Sequence, residues 1–268
     1  VNDVLCVGAR PLALLDYIAV EAPHEDLLEP IARGLYRGAE QAEITIPGGE
    51  IAQVREMIHG LRKDYAFDLV ATCVGTVPLN RILTGQDIRD GDVIIGLRSS
   101  GVHSNGLTLA RQIFFEHLSW SPDRYMPDLG RTIGEELLEP TKIYVKPVLE
   151  MLGANLRIKA LAHITSTGFL NLSRAAAPVG YLLERLPEPP PVFRLIQECG
   201  SVTDQEMFFT YNMGIGFCVV VAPEHADDVQ RIAGLHGVHS SVIGFTVNDP
   251  SKAVMIPARR LVGADGEF

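Results

Sequence analysis

The sequence predicts a mixed α/β protein with two domains. Its 268 residues are more than one core of typical size organises, and 47% of them are hydrophobic against 21% charged, as in ordinary globular proteins. Short apolar runs alternate along the chain with stretches of helical spacing. A polar, turn-rich segment at 78–90 separates a first domain, residues 1–77, from a second, residues 84–268.

The first domain is expected to contain one long helix among several strands. Apolar residues within 27–42 recur close to helical spacing, and Glu25 and Asp26 stand at the start, where the helix dipole favours acidic groups. A turn is expected at 47–50, where two glycines follow a proline. The stretches expected to be strands, the first two of which could also lead into a helix, are 1–8, 11–17, 44–46 and 68–77.

The second domain shows the same alternation over a longer range. Its expected strands are 93–97, 159–164 and 213–222. Its expected helices are 107–118, 141–152, 170–177 and 224–233. The proline-rich segment 186–192 is expected to be a surface connection.

The net charge and the cysteine pattern argue against several classes of protein. A formal net charge of −10 argues against a protein that binds the phosphate backbone of nucleic acids, which requires clustered Lys and Arg. The four cysteines are far apart and mostly have apolar neighbours, so reduced core thiols are expected rather than zinc ligands or disulfides.

No apolar run approaches the length of about 20 residues that spans a bilayer, and no basic segment followed by an apolar one is found at the start of the given sequence. We therefore expect a cytoplasmic protein without a membrane partner. The chain begins at Val1 rather than Met, from which we expect residues to have been lost upstream.

The segment 96–106 holds the most informative pattern. It reads Gly-Leu-Arg-Ser-Ser-Gly-Val-His-Ser-Asn-Gly between an expected strand and an expected helix. Glycines free the backbone, and N–H groups with serine hydroxyls can bind an anion there. The alternative is an ordinary turn whose serines cap the helix. The segment is neither a Walker A loop nor a dinucleotide fingerprint.

This segment is similar to a signature of the aminoimidazole ribonucleotide synthetase family. Further similar segments follow in the same order over the whole chain: Val-Asn-Asp at 1–3, Gly-Ala-Arg-Pro-Leu at 8–12, Leu-Asp-Tyr at 15–17, Gly-Gly-Glu at 48–50, Leu-Glu-Pro-Thr-Lys-Ile-Tyr-Val-Lys at 138–146, Ala-His-Ile-Thr at 162–165, Glu-Met at 206–207 and Asn-Met-Gly-Ile-Gly at 212–216.

The resemblance implies a reaction and an architecture. Members of this family use ATP and Mg²⁺ to activate the formyl oxygen of formylglycinamidine ribonucleotide, after which an internal nitrogen closes an imidazole ring and phosphate is released. The N-terminal domains of two subunits are expected to form a shared β-barrel in a homodimer, and the C-terminal domain is expected to be α/β. Such a site requires metal ligands, phosphate donors and a group that moves a proton.

Candidate site residues follow from these matches. Asp3 is the expected Mg²⁺ ligand and a catalytic candidate, because a carboxylate in an apolar strand is unfavourable unless paired or coordinated; the alternative is a strand-end cap. Glu50 is a second metal candidate, or a solvated turn acid. His163 is the expected proton shuttle, or a structural histidine. The residues expected to bind substrate or nucleotide are Ser99, Ser100, Gly101, His103, Ser104, Asn105, Gly106, Thr165, Asn212, Thr141 and Lys142.

Three departures from the family pattern keep alternatives open. The family's Asp-Gly-Val-Gly-Thr-Lys segment has no counterpart, an acid is replaced by Gln53, and two glycines are replaced by Ser166 and Thr167. A relative of formylglycinamidine synthetase and an inactive paralogue that serves as a binding subunit are therefore the competing hypotheses. If the chain catalyses the ring closure, Asp3, His163 and the loop 99–106 should line one cleft between the domains.

Overall fold

The computed structural model describes residues 1–154 and 156–268, which have a mixed α/β fold. They form two compact units, Val1–Ile82 with Ile143–Leu149, and Leu83–Lys142 with Glu150–Phe268. Residues 143–149 pack with the first unit, although the sequence placed them in the second domain. Within that unit the Tyr144 amide donates a hydrogen bond of 3.0 Å to the Asn2 side-chain oxygen.

The first unit is a three-stranded sheet with one long helix. Strand β1 lies in the middle, parallel to β2 and antiparallel to β3. The elements are α1 (Asn2–Leu5), β1 (Arg10–Val20), α2 (Glu25–Ala42), β2 (Thr45–Gln53) and β3 (Phe67–Thr76).

Two expectations for this unit are wrong. Residues 1–8 form no strand; Asn2 and Leu5, three positions apart, are the buried residues, and that spacing suits the helical turn α1. Residues 47–50 form no turn, because Gly48 and Gly49 continue β2 beside Leu15 and Asp16. A Cβ on Gly49 would overlap the Asp16 carboxylate, so glycine here permits a close approach of the strand.

The two faces of this sheet have different surroundings. Leu14 and Leu69 face α2 and line an apolar cavity of about 400 Å³ beneath it. On the opposite face Leu15, Tyr17 and Val70 are 45%, 40% and 54% exposed. None of the sheets in the described residues closes into a barrel, so this apolar face is uncovered.

The second unit is built on a seven-stranded sheet with the order β12-β11-β8-β10-β4-β9-β7. Its strands are β4 (Val93–Arg98), β7 (Ile158–His163), β8 (Gly180–Leu182), β9 (Ile215–Val221), β10 (Ser240–Val247), β11 (Val254–Ile256) and β12 (Leu261–Gly263), and β5 (Tyr125–Met126) pairs with β6 (Arg131–Thr132) in a separate ribbon. Its helices are α3 (Leu107–Arg111), α4 (Ile133–Leu137), α6 (Pro191–Gly200), α7 (Asp204–Thr210) and α8 (Ala226–Leu235), and the first residues of α5 (Val145–Gly153) belong to the first unit and its last residues to the second.

Strand β9 is the most buried element of this sheet, since all seven of its residues are buried. It lies antiparallel to both β4 and β7. Strands β4 and β7 therefore run in the same direction and end at the same edge of the sheet, where β9 begins. Open α/β sheets commonly gather ligand-binding groups at such an edge.

Most expected elements of this unit are present, with two differences. The expected helix 170–177 is a 3₁₀ helix, Gly168–Arg174. The expected helix 141–152 begins only at Val145, so residues 141–142 lie outside it without regular secondary structure. In the described part of the chain, no helix combines the length and apolar character needed to cross a membrane.

Candidate functional site

The loop that follows β4 is held in place by Asn212, which is 3% exposed. Its side-chain oxygen accepts hydrogen bonds from the Ser99 hydroxyl (2.9 Å) and the Gly214 amide (2.8 Å). Its side-chain nitrogen donates to the carbonyls of Gly101 (2.9 Å) and Val102 (3.0 Å). Asn212, expected to bind ligand, is thus engaged within the protein and shapes the loop.

Tyr211 fixes the other end of the loop. Its hydroxyl donates to the Gly106 carbonyl at 2.9 Å, and burial raises the pKa of this tyrosine, which keeps the hydroxyl protonated. Gly106 has a φ of +81°, and a Cβ there would overlap the tyrosine ring. Both the positive φ and the close contact with the ring therefore require glycine at position 106. In the middle of the loop, the Ser100 hydroxyl donates a hydrogen bond of 2.6 Å to the Pro140 carbonyl.

His103 is the buried polar centre of this loop, at 4% exposure. Its Nε2 accepts the backbone N–H groups of Ser100 (3.1 Å) and Lys142 (3.4 Å). Burial is the main cause that lowers its pKa to about 4, and the charges of His163 and Lys142 contribute to this shift. The ring is therefore neutral at about pH 7, and because Nε2 accepts, the proton belongs on Nδ1.

The Nδ1 atom of His103 is buried and has no hydrogen-bond partner among the described residues. A buried donor of this kind is unfavourable unless a ligand or water satisfies it. The loop thus holds a neutral imidazole whose N–H is suited to an oxygen atom of a ligand.

His163 ends β7 and stands opposite Phe217 of β9, with 6.1 Å between the ring centres. It is half-buried, and the pairing of His163 with Phe217, and of Phe217 with Leu97, sets it across β9 from the end of β4. The structure therefore brings together the expected proton shuttle and the loop, at the sheet edge where β4 and β7 end.

The segment after His163 keeps a glycine-like backbone despite its substitutions. Thr167 has a φ of +71° and Gly168 a φ of +55°, both in the left-handed region. The Gly168 amide donates to the Thr165 carbonyl at 3.0 Å, and Asn171 donates to the Ser166 carbonyl at 3.1 Å. Thr167 thus occupies a conformation that L-residues other than glycine rarely adopt, so the local geometry does not depend on the glycine expected there.

The remaining candidates of the second unit lie around the loop. Ser104 is exposed, and Asn105 is half-buried next to Gly106. Thr141 and Lys142 are half-buried in the segment before α5. The backbone N–H that Lys142 donates to His103 ties this segment to the loop, a role that sequence reasoning did not assign.

An acidic cluster beneath the loop was missed in the sequence. Glu136 is 7% exposed, and Arg131 lies 3.1 Å from it and 2.6 Å from Glu139. Burial raises the pKa of Glu136, while Arg131 opposes that rise. The readable signal was the capping box formed by Thr132 and Glu135, which starts α4 and points Glu136 inward.

The two metal candidates belong to the first unit. Asp3 is exposed on α1 rather than placed in an apolar strand, so the desolvation argument for it is wrong; Glu50 is exposed on β2. Among residues 1–154 and 156–268, no three His, Cys, Asp or Glu side chains group as metal ligands.

Comparisons with known proteins identify the family of this chain. Residues 1–77 match the model of the AIR synthase related protein N-terminal domain, and residues 89–257 match that of the C-terminal domain. A phosphoribosylformylglycinamidine cyclo-ligase of Methanothermobacter thermautotrophicus is 50% identical over 87% of this chain and 67% of its own length. One of Methanocaldococcus jannaschii is 48% identical over 92% of this chain and 69% of its own length.

Solved structures with lower identity share the fold. The E. coli hydrogenase maturation protein HypE is 19% identical, with a TM-score of 0.67 over 98% of this chain and 75% of its own. T. maritima PurL, complexed with AMPPCP, is 17% identical, with a TM-score of 0.59 over 98% of this chain and 38% of its own. The family models and the cyclo-ligase relatives together show that this chain belongs to the AIR synthase family, in its phosphoribosylformylglycinamidine cyclo-ligase branch.

Proposed function

We propose that this chain catalyses the ATP-dependent closure of formylglycinamidine ribonucleotide to aminoimidazole ribonucleotide, with release of ADP and phosphate. Relatives named for this cyclo-ligase reaction are 46–50% identical over about nine-tenths of the chain, which supports the assignment of an enzyme of purine biosynthesis. The observation in the molecule that carries the proposal is the buried His103 N–H beside His163.

The reaction requires an oxygen to be held while charge develops on it. The γ-phosphoryl group of ATP transfers to the formyl oxygen, the amidine nitrogen forms a bond to the formyl carbon, and the carbon–oxygen bond then breaks to release phosphate. A neutral, buried N–H that is already in place stabilises such an oxygen without reorganisation. We assign this role to His103 Nδ1, with the hydroxyls and backbone of Ser99 to Gly106 binding polar groups of the substrate or nucleotide.

His163 is assigned the proton transfer. The attacking nitrogen must lose a proton as the ring closes, and an imidazole at the edge of the sheet can accept it at neutral pH. Thr165 is proposed to bind ligand next to it, because the left-handed turn at Thr167 and Gly168 holds the segment in a fixed conformation.

ATP and Mg²⁺ are the proposed cofactors. PurL, which shares the fold, has been solved with AMPPCP, ATP and ADP, and this supports a nucleotide as the second substrate. We propose Asp3 and Glu50 as carboxylates for a nucleotide-borne Mg²⁺, which would screen the phosphate charge. A single cleft shared by Asp3, His163 and the loop stays a prediction.

The alternative hypothesis is an inactive binding subunit, which the substitutions at Gln53, Ser166 and Thr167 suggested. Thr167 retains a left-handed backbone, so that substitution does not support loss of activity. Gln53 lies on β2, where its amide donates a long hydrogen bond of 3.5 Å to the Glu21 carbonyl. It carries no charge with which to hold a metal, and Gln53→Glu would reveal whether an acid is missing.

The test is formation of aminoimidazole ribonucleotide from formylglycinamidine ribonucleotide and ATP, with Mg²⁺, by the full-length protein. We expect turnover in the wild type and a loss of about 10²–10⁴-fold in kcat for His163→Ala, the usual contribution of a general base. His117→Ala, at an exposed histidine of the second unit, is the matched control and should leave kcat unchanged. A wild type without turnover, in the presence of a folded protein that binds ATP, would favour the inactive paralogue.

We also propose a homodimer formed through the first unit. The uncovered apolar sheet face with Leu15, Tyr17 and Val70 supports it, because large apolar patches on soluble proteins commonly mark interfaces. A partner sheet could complete the β-barrel implied by the family. Sedimentation equilibrium should give twice the chain mass; a monomer at micromolar concentration would contradict the proposal.

A further inference from the structure

A cavity in the second unit lies apart from the loop 99–106. Its volume is about 410 Å³, which is within the usual range of small-molecule sites. The residues that matter for its chemistry are Leu183, Glu188, Phe208, Met213, Ile256 and Arg259. None of its lining residues, all of which are described, belongs to the loop.

The floor of this cavity suits a flat aromatic ring. Phe208 and Ile256 are almost fully buried, and Met213 is 5% exposed. A methionine sulfur and an aromatic face both pack favourably against a planar ring. Met213 also has a φ of +49°, an unusual conformation for this residue type that is often found at ligand sites.

The rim carries groups of both charges. Arg259 lies 3.6 Å from Asp204, too far for a good hydrogen bond, and its guanidinium is 5.9 Å from the Phe208 ring centre. Such an exposed ion pair is weak, so an anion could recruit this guanidinium. Glu188, exposed on the opposite segment of the rim, offers a carboxylate to an amino group.

Residues that line the cavity are connected to residues that hold the loop 99–106 in place. The Glu188 carbonyl accepts a hydrogen bond of 3.0 Å from Arg98, the last residue of β4. Met213 stands between Asn212, which clamps the loop, and Gly214, whose carbonyl accepts the Ser99 amide at 3.0 Å. A ligand against Met213 and Glu188 would therefore restrain residues that position the loop.

We propose that this cavity is a second ligand site, for a planar amino-substituted heteroaromatic ring that carries an anionic group, as in a purine nucleoside monophosphate. The ring packs on Phe208 and Met213, its amino group donates to Glu188, and its phosphate pairs with Arg259. Occupancy of this site stabilises the conformation of the loop 99–106 through Met213.

The experiment is calorimetric titration of AMP into the full-length protein after the nucleotide site has been saturated with the ATP analogue AMPPNP. We expect one AMP per chain, with at least tenfold weaker binding in Arg259→Ala and in Ala258→Trp, which fills the exposed rim. Arg185→Ala removes a more exposed arginine outside the cavity and is the matched control. Ribose 5-phosphate, which lacks the ring, should bind at least tenfold more weakly than AMP.

A second readout reports the coupling to the loop. With methyl-labelled methionine, the Met213 resonance, assigned by its loss in Met213→Leu, should shift on addition of AMP in the wild type and not in Ala258→Trp. The proposal is overturned if AMP does not bind once AMPPNP saturates, if Arg185→Ala weakens binding as much as Arg259→Ala, or if formylglycinamidine ribonucleotide displaces the AMP. Because these are binding measurements, they are independent of whether the enzyme turns over.

Discussion

The two units of this chain use a β-sheet in opposite ways. In the second unit, β9 is buried along its whole length and the sheet edge beside it carries Asn212, His103 and His163. In the first unit, β3 is exposed at most of its positions and one sheet face is left open. Catalytic groups need fixed positions and interfaces need accessible apolar surface, so this burial pattern suits the two proposed roles, a site in the second unit and association through the first.

Glycine shows the same contrast at the level of single residues. A Cβ on Gly168 would overlap the Phe208 carbonyl, whereas no described atom lies within 4 Å of a Cβ built on Gly34 of α2. The backbone is therefore closely packed around Gly168 of the second unit and open around Gly34 of the first. Substitutions in each unit test this difference in packing.

The largest effect is expected for Gly168→Ala. The overlap with a backbone carbonyl and the φ of +55° both oppose the new methyl group, and we expect a loss of about 3–5 kcal/mol in the free energy of unfolding. Urea denaturation at constant m-value measures it. A loss below about 1 kcal/mol would mean that the backbone around residue 168 relaxes easily, and the contrast between the units would fail.

The next effect concerns pH and His103. Its pKa is about 4 in the folded protein and about 6.5 when unfolded, so at intermediate pH the unfolded state binds more protons. Stability should therefore fall as pH falls from about 6.5 towards 4, by up to about 3 kcal/mol from this group. In His103→Gln the fall should be smaller, as measured by unfolding at a series of pH values. Parallel curves for the two proteins would contradict a buried neutral His103.

A smaller effect is expected on association for Val70→Asp. A carboxylate on the open sheet face would be desolvated in a dimer, and we expect a loss of about 2 kcal/mol, or roughly 30-fold in the dimer dissociation constant. Sedimentation equilibrium measures this shift. Tyr36→Asp, on the exposed surface of α2 at 66% exposure, is the control and should leave association unchanged. Equal effects of the two changes would move the interface away from the sheet.

The smallest effect, and one of opposite sign, is expected for Gly34→Ala. Alanine favours a helix over glycine by about 0.5–1 kcal/mol, and the position has room for a methyl group. The midpoint of thermal unfolding should rise by a few degrees. A decrease would show that α2 packs more closely on its sheet than the cavity beneath it indicates.

The sequence predicted the elements whose signals are local. The helical spacing of residues 27–42 and the apolar runs near 93–97 and 213–222 match α2, β4 and β9. It failed at 1–8 and 47–50, because an apolar run suits a helical turn or a strand equally and because Gly48-Gly49 resembles a turn until a neighbouring strand is present. The capping box of Thr132 and Glu135 pointed to the buried Glu136, but no local pattern indicated its ion pair with Arg131.

The family, the loop between β4 and α3, and the two candidate histidines can be identified from the sequence, because they depend on residue types in a fixed order. The neutral state of His103, the hydrogen bonds with which Asn212 holds the loop, and the exposure of Asp3 on a helix are evident only from the three-dimensional structure. Protonation, hydrogen-bond partners and exposure depend on which distant segments come together, as when residue 212 reaches the carbonyls of residues 101 and 102. Those contacts arise from packing, which no local pattern of residues specifies.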